Sequence, residues 1–284
     1  MADSLKDRVM FMSGGSRGIG LAIATRAARD GVKVALVAKT AEPHPKLPGT
    51  IYTAAEEIEA AGGEALPIVG DIRDADAVEA AVAQTVERFG GIDLVVNNPS
   101  AINLAPMRDL EVKRFDLMQQ INSRGTFVVT RACLPHLRES DHAQVLTLSP
   151  PLSADPRWLN GHSAYTLSKM GMTMITLGVA ADEAEAAIGA NCLWPRTIIA
   201  TAAVQNLLGG DEAMARSRVP AIVADAAHEI LSRDPRSCTG NVFIDDEVLA
   251  EAGITDLDQY SGTPDAELAL DIFVNGWPEG AAAR

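Results

Sequence analysis

Short apolar runs alternate along this chain with longer segments in which apolar residues recur at helical spacing. The runs, such as LVV and VLTL, are apolar at nearly every position, which is typical of strands buried on both faces of a sheet. They predict seven strands, at residues 9–13, 33–38, 65–70, 92–97, 144–149, 189–194 and 241–244.

The segments between these strands predict helices near residues 19–30, 52–61, 75–89, 112–138, 163–184 and 224–232. Regular alternation of strand and helix favours a parallel sheet, because right-handed crossovers through helices join neighbouring parallel strands. We therefore expect an α/β fold in a single domain: a Rossmann-type, doubly wound parallel sheet of seven strands with helices on both faces.

Two segments interrupt the alternation. Residues 40–51 contain three prolines, among them Pro45, which disfavour helix and predict an ordered, extended loop. Residues 251–284 are polar, and we expect them to wrap the surface or a subunit partner while the last few residues fray. They would form a C-terminal extension of the domain that residues 1–250 build.

Composition and charge narrow the classes of partner. The 284 residues are 47% apolar and 22% charged, which is ordinary for a soluble globular protein. A formal net charge of -14 argues against nucleic acid, whose binding needs a basic surface, and against anionic membranes. No apolar run approaches the roughly 20 residues of a spanning helix. We expect neither a nucleic-acid nor a membrane partner.

Cysteine usage indicates a reducing compartment. Cys133, Cys192 and Cys238 lie far apart and show neither CxxC pairing nor histidines at metal-ligand spacing. We interpret them as reduced thiols and expect no metal site. The first residues, MADSLKDRVM, carry charges where a signal peptide needs an apolar stretch. The expected location is cytoplasmic.

A glycine-rich loop follows the first predicted strand. Positions 13–20 read SGGSRGIG, and an amphipathic helix begins at once. Backbone N–H groups and the positive end of a helix dipole meet in such a loop, where a pyrophosphate can bind. The glycine spacing differs from the GxGxxG of the common dinucleotide fingerprint. The place of the loop nevertheless favours a dinucleotide site over a purely structural turn.

At this loop the chain resembles the short-chain dehydrogenase/reductase family, whose motif TGxxxGxG it matches with Ser13 in place of threonine. More narrowly, NNPSAI, NSRGTF, SPPL and NCLWPRT resemble the dehydrogenase domain of hydroxysteroid dehydrogenase-like proteins. Those proteins often carry an additional sterol-carrier domain, for which we expect this chain to be too short. The resemblance implies a homodimer or homotetramer that associates through the helices at residues 112–138 and 163–184.

The resemblance also implies which residues contact the cofactor. Asp71 would bond the adenine ring, Asn98 would line the cofactor after the fourth strand, and the segment after the sixth strand would border the nicotinamide carboxamide. The motif departs from the family pattern at Pro99 and Ser100, where the family has Ala and Gly, and at Arg196, where it has Gly. The full set of cofactor residues is Gly14, Ser16, Arg17, Gly18, Ile19, Gly20, Lys39, Asp71, Ile72, Asn98, Tyr165, Lys169, Pro195 and Thr197.

The end of the second strand favours NADP(H) as the cofactor. NAD sites usually place Asp or Glu there, to bond the ribose hydroxyls. Here Lys39 occupies that region, and together with Arg17 it could neutralise a 2′-phosphate. Glu42 lies close by in sequence, so NAD(H) stays an alternative, and Lys39 could also be a solvated loop residue of an enzyme that takes either cofactor.

Tyr165 and Lys169 are the candidate proton-handling pair. They stand four positions apart in a predicted helix, which places them on one face, about 5–6 Å apart at Cβ. Tyrosine ordinarily titrates near pH 10, and a neighbouring ammonium lowers its pKa toward a useful range. The resemblance implies that Tyr165 exchanges a proton with the substrate oxygen and that Lys169 bonds the nicotinamide ribose.

Two further catalytic positions leave alternatives open. Asn122 matches the family asparagine that orders a proton-relay water, although a mid-helix asparagine can equally mark a kink. The substrate-polarising serine is missing, because Pro150 occupies its place after the fifth strand. Ser149 and Ser153 are the candidates to replace it, and Ser149 is preferred because it keeps its strand position. Loss of one such donor costs about 10²–10³ in rate.

These observations predict an NADP-dependent oxidoreductase that transfers hydride between nicotinamide and a secondary alcohol or ketone. The resemblance suggests a hydrophobic, fatty-acyl or steroid-like substrate, with Trp158 and Trp194 as pocket residues or, equally, as core. The departures at Pro150 and Arg196 motivate an alternative, a dinucleotide-binding sensor or interaction protein with little turnover. A third hypothesis is a nonredox lyase or epimerase with the same fold.

Overall fold

The computed structural model describes residues 5–44, 47–263 and 266–278. Pro45 and the last six residues, for which we expected fraying, lie outside these ranges. In its described part, the proline-rich segment forms neither helix nor strand before Ile51, apart from an isolated bridge between His44 and Leu47. No helix among the described residues combines the length and the apolar character needed to cross a membrane.

Seven parallel strands form the sheet of the described chain, in the order β3-β2-β1-β4-β5-β6-β7. The strands are β1 Val9–Ser13, β2 Lys33–Ala38, β3 Glu64–Val69, β4 Leu94–Asn97, β5 Gln144–Leu148, β6 Gly189–Trp194 and β7 Val242–Ile244. This confirms the predicted fold, and the bounds of three strands agree residue for residue. The strand order reverses between β1 and β4, where sheets of this type open a crevice at their carboxyl ends.

Helices cover both faces of the sheet. They are α1 Gly18–Ala28, α2 Ile51–Ala60, α3 Ala75–Phe89, α4 Val112–Ile121, α5 Ser123–Leu137, α6 Pro156–Leu159, α7 Ser163–Asp182, α8 Ala202–Leu207, α9 Gly210–Ala215, α10 Ala221–Leu231 and α11 Asp245–Glu251. The side chains of β1 alternate between two cores. Met10 packs with residues of α1, α2 and α10, whereas Phe11 packs with residues of α3 and α5.

The single helix predicted at residues 112–138 is wrong. The chain leaves helical geometry at Asn122, whose φ and ψ are -74° and -82°, and α4 and α5 meet there. The apolar periodicity continues across the break, so the pattern does not reveal it. The reason is tertiary, because the Asn122 side chain bonds the backbone of Ala101 instead of pointing to solvent.

Candidate active site

The loop between β1 and α1 depends on its glycines. Gly18 has a φ of +57°, in the left-handed region that favours glycine. A Cβ on Gly20 would lie 2.4 Å from the Gly14 carbonyl oxygen and 2.7 Å from Asn98 Nδ2. Asn98 Nδ2 donates to that same carbonyl at 2.8 Å. The loop is therefore held tightly against the end of β4.

A cleft of about 650 Å³ lies at the carboxyl ends of β1 to β4, beside the N-terminus of α1. Backbone N–H groups and the positive helix end favour an anion there, so the cradle fits the pyrophosphate of a dinucleotide. The predicted cofactor residues in its lining are Gly14, Ser16, Arg17, Gly18, Ile19, Lys39, Asp71, Ile72 and Asn98.

The remaining predicted cofactor residues lie outside this lining. Gly20 sits beneath the loop, and Pro195 and Thr197 are buried after β6. Thr197 Oγ1 has no hydrogen-bond partner among the described residues, and the Thr197 backbone forms a bridge with Leu270. The C-terminal segment at residues 266–278, hereafter the strap, therefore covers the end of the sheet where the nicotinamide was expected.

Asp71 pairs with two cationic side chains at the rim of the cleft. Arg73 contacts its carboxylate through Nε and Nη2, at 2.9 and 2.6 Å from Oδ2, and Lys39 Nζ lies 3.1 Å from Oδ2. The bonds from Arg73 and Lys39 hold the pKa of Asp71 far below its usual range. Arg73 was missed by the sequence reasoning, although it stands only two positions after Asp71. Glu42 is exposed and lies outside the cleft lining.

Tyr165 and Lys169 lie one turn apart on α7, and both are only 2% exposed. Lys169 Nζ donates to the Leu148 carbonyl oxygen at 2.5 Å and lies 5.0 Å from the centre of the Trp194 ring. The Ser100 side chain acts on the Tyr165 phenol, whose pKa it lowers, and Ser100 itself lines the cleft. The buried pair therefore lies close to the cleft.

Burial dominates the pKa values of this pair. It lowers the pKa of Lys169 to about 7, because the ammonium has lost its water. It raises the pKa of Tyr165, and the nearby Asp271 carboxylate adds to this, while the bond from Ser100 acts in the opposite direction. The lowered pKa that we expected for Tyr165 is therefore wrong for this closed arrangement, since desolvation of the phenolate outweighs its cationic neighbour.

Asn122 ties the loop after β4 to the helix that carries the pair. Its Oδ1 accepts from Ala101 N at 2.7 Å, and its Nδ2 donates to the Ala101 carbonyl at 3.0 Å. Nδ2 also donates to Ser168 Oγ at 2.8 Å, and Ser168 stands between Tyr165 and Lys169 on α7. The side chain therefore positions both loop and helix.

Neither predicted serine contacts Tyr165. Ser149 is fully buried beside the Cys192 thiol, and its Oγ has no hydrogen-bond partner of normal geometry among the described residues. Ser153 Oγ accepts from Asp155 N at 3.1 Å. The serine that lowers the pKa of Tyr165 is Ser100, which the sequence marked only as a departure from the family motif.

Arg196 organises the strap instead of forming a strained turn. It is not among the described residues with positive φ, and its guanidinium is buried against Asp246 at 2.5 Å. Its Nη1 donates to the Gly276 carbonyl at 2.6 Å, and its carbonyl accepts from Asp271 N at 2.8 Å. No group of three or more His, Cys, Asp or Glu among the described residues is arranged to hold a metal.

An aromatic ring from the strap covers Tyr165. Phe273 stacks on Tyr165 with ring centres 6.1 Å apart and planes inclined by 26°. Trp158 and Trp194 approach the Phe273 ring edge-on, each at 5.8 Å, and His162 lies at 6.3 Å. We call Trp158, His162, Tyr165 and Trp194 the aromatic cage. A single phenylalanine in a polar tail gave no sequence signal for this contact.

Comparison with known proteins agrees with this architecture. The family model for short chain dehydrogenases matches residues 8–210. Hydroxysteroid dehydrogenase-like protein 2 of Xenopus tropicalis is 51% identical over 274 residues, which are 96% of this chain and 65% of that relative. The chain therefore spans about two thirds of that protein's length.

Two crystal structures are similar over nearly their whole length. A short-chain dehydrogenase from Mycobacterium thermoresistibile shares 58% identity with a TM-score of 0.92, covering 97% of this chain and 98% of that one. A putative dehydrogenase from Xanthomonas campestris shares 53% identity with a TM-score of 0.93, covering 96% and 99%.

Proposed function

Because the chain belongs to the short-chain dehydrogenase family, we propose that it interconverts a secondary alcohol and a ketone with NADP(H) as its preferred cofactor. The observation that carries this proposal is the Tyr165–Lys169 pair on one face of α7, close to Ser100 in the lining of a cleft of dinucleotide size. A paired acid and base beside such a cleft can move the proton that alcohol oxidation requires.

The dinucleotide supplies the two-electron chemistry when it is bound. The glycine loop and the N-terminus of α1 would hold its pyrophosphate, and Asp71 with Ile72 its adenine. Pro195 and Thr197, at the end of β6, are the proposed neighbours of its nicotinamide. NADP(H) is favoured over NAD(H) because two side-chain cations, Lys39 and Arg73, surround the single carboxylate of Asp71, which leaves positive charge for a 2′-phosphate.

Tyr165 would give its hydroxyl proton to the ketone oxygen in reduction and accept the alcohol proton in oxidation. The Lys169 ammonium would offset part of the cost of forming the phenolate through its charge, although burial outweighs that effect in the structure. Asn122 would order the water that returns a proton to Lys169, in addition to holding α7. The sequence predicts Ser149 as the donor to the substrate oxygen. Ser100 is the candidate that the structure favours, because it lines the cleft and lowers the pKa of Tyr165.

The remaining finer assignments rest on exposure and composition. Phe127 on α5 and Leu167 and Met174 on α7 are 50%, 57% and 63% exposed, and these apolar side chains favour a homodimer or homotetramer through the two helices. The aromatic cage favours a hydrophobic substrate of the fatty-acyl or steroid-like class. Unpaired thiols at all three cysteines favour the cytoplasm.

Titration of the purified protein with NADPH and NADH, followed by a panel of ketones and alcohols, tests the proposal. We expect tight NADPH binding, turnover seen at the nicotinamide absorbance, and loss of turnover in Tyr165→Phe with NADPH binding retained. Tight binding with no turnover would instead favour a dinucleotide sensor. If the protein binds neither nucleotide, the proposal is wrong.

A further inference from the structure

The catalytic tyrosine and the substrate need the same space that Phe273 fills. Tyr165 is 2% exposed, and the ring stacked on it is that of Phe273. A ketone must place its oxygen within hydrogen-bonding distance of the tyrosine hydroxyl. Some element must therefore move before the proposed reaction, and the strap near the end of the chain is the element packed on that side.

The strap is held by hydrogen bonds along its length, and it contains one strained residue. Trp194 Nε1 donates to the Ile272 carbonyl at 2.8 Å, and Arg157 Nη2 donates to Asn275 Oδ1 at 3.0 Å on the surface. Phe273 itself has a φ of +72°, which is uncommon and unfavourable for a bulky residue. Packing of its ring in the cage must offset that cost.

The cage also contains polar atoms that Phe273 leaves without partners. Trp158 Nε1 and His162 Nε2 are buried and have no hydrogen-bond partner among the described residues. Buried donors are normally satisfied, because each unmade bond costs free energy. Both atoms belong to residues whose rings face Phe273. A guest of similar shape with polar substituents could satisfy them.

We propose that Phe273 occupies the place of a planar, apolar ring of the substrate, and that the strap withdraws to admit it. The inference deepens the proposed function and rests on it. It names a substrate class: ketones or secondary alcohols with a flat hydrophobic ring and a hydrogen-bond acceptor for Trp158. Phe273 then competes with the substrate for the aromatic cage.

Nitration of tyrosines in the apo protein by tetranitromethane tests whether Phe273 covers Tyr165, and it requires no turnover. The products are identified by peptide mass spectrometry. The other two tyrosines provide internal controls, because Tyr52 is 50% exposed and Tyr260 is 4% exposed. In Phe273→Ala we expect Tyr165 to react at least tenfold faster, with Tyr52 and Tyr260 unchanged, and Phe273→Leu to be intermediate. If Tyr165 stays protected in Phe273→Ala, Phe273 is not the cover.

The kinetic test compares a planar aryl ketone with a small aliphatic ketone. We expect Phe273→Ala to lower the KM of the aryl ketone about tenfold, which is about 1.4 kcal/mol, and to leave NADPH affinity unchanged. A raised KM would mean that Phe273 is a wall of the pocket and would overturn the proposal. Asn275→Ala, which loosens only the outer anchor, gives the same test with a smaller shift if Phe273→Ala does not fold.

The two failures can be told apart. If the wild type shows no turnover, or Tyr165→Phe keeps full activity, the proposed function fails. If Tyr165→Phe abolishes turnover while Phe273→Ala changes neither the nitration of Tyr165 nor the KM, only the proposal that Phe273 occupies the substrate's place is wrong.

Discussion

The Lys39 ammonium lies 3.1 Å from the Asp71 carboxylate, on the rim of the cleft beside the glycine loop. We expect Lys39→Ala to weaken NADPH binding about 10- to 100-fold and NADH binding about twofold at most, since a charge-assisted hydrogen bond contributes about 1.5–3 kcal/mol. Fluorescence titration with the two nucleotides measures the difference.

A matched control removes the same charge elsewhere. Lys113 is 73% exposed on α4 and pairs with Glu111, so Lys113→Ala should leave both affinities unchanged. If Lys39→Ala weakens NADPH and NADH equally, Lys39 does not recognise the 2′-phosphate and the NADP(H) preference is wrong.

Crowding at Gly20 gives a second prediction. A Cβ there would meet the Gly14 carbonyl oxygen at 2.4 Å, and overpacking of this kind costs about 1–3 kcal/mol. We expect Gly20→Ala to lower the Tm and to abolish NADPH binding, because the loop must move outward into the cleft.

Gly178 on α7 is the matched helical glycine. A Cβ there meets no atom within 4 Å, and alanine is the better helix former by about 1 kcal/mol. Gly178→Ala should keep NADPH binding and hold or raise the Tm. Wild-type affinity in Gly20→Ala would show that the loop tolerates a side chain.

The strands were predictable because a strand buried on both faces is a continuous apolar run in the sequence, bounded by polar residues. Lys33–Ala38 and Gly189–Trp194 therefore appear with the same bounds in pattern and structure. The glycine loop was recognisable for a similar reason, since its chemistry is local to eight consecutive positions.

The rest of the site depends on contacts between distant segments. Phe273 meets Tyr165 across more than 100 positions, and nothing in the polar tail distinguishes that phenylalanine. Arg196 appeared to be an awkward replacement for glycine, yet its partners Asp246 and Gly276 lie far along the chain. A single sequence records neither pairing.

Three serines compete for the role of donor to the substrate oxygen. Ser100 lines the cleft and lowers the pKa of Tyr165, whereas Ser149 is buried beside Cys192 and Ser153 Oγ accepts from Asp155 N. We expect Ser100→Ala to lower kcat about 10²–10³-fold, the usual loss for such a donor, with NADPH affinity retained. Ser153→Ala serves as the control. If kcat falls only in Ser149→Ala, Ser149 is the donor, as its strand position predicts.

The pH dependence of stability should report on a buried carboxyl close to the Tyr165–Lys169 pair. Burial raises the pKa of Asp271 from 3.8 to about 8. Between these values the folded state holds a proton that the unfolded chain has released, so the free energy of unfolding falls as the pH rises. Burial also raises the pKa of Asp245, to about 7, which adds to the fall. Lys169, lowered to about 7, acts in the opposite direction only above that pH.

Asp271→Asn removes one of these titrations and keeps a side chain of the same shape. Between pH 5 and 7, where Lys169 is charged in both states, the decline of Tm with pH should become shallower than in the wild type. Asp116→Asn, at an exposed carboxylate on α4, should leave the slope unchanged. An equal slope in Asp271→Asn would mean that the carboxyl is ionised in the folded protein, and the strap would then hold a negative charge close to Tyr165, which the proposed reaction converts to a phenolate.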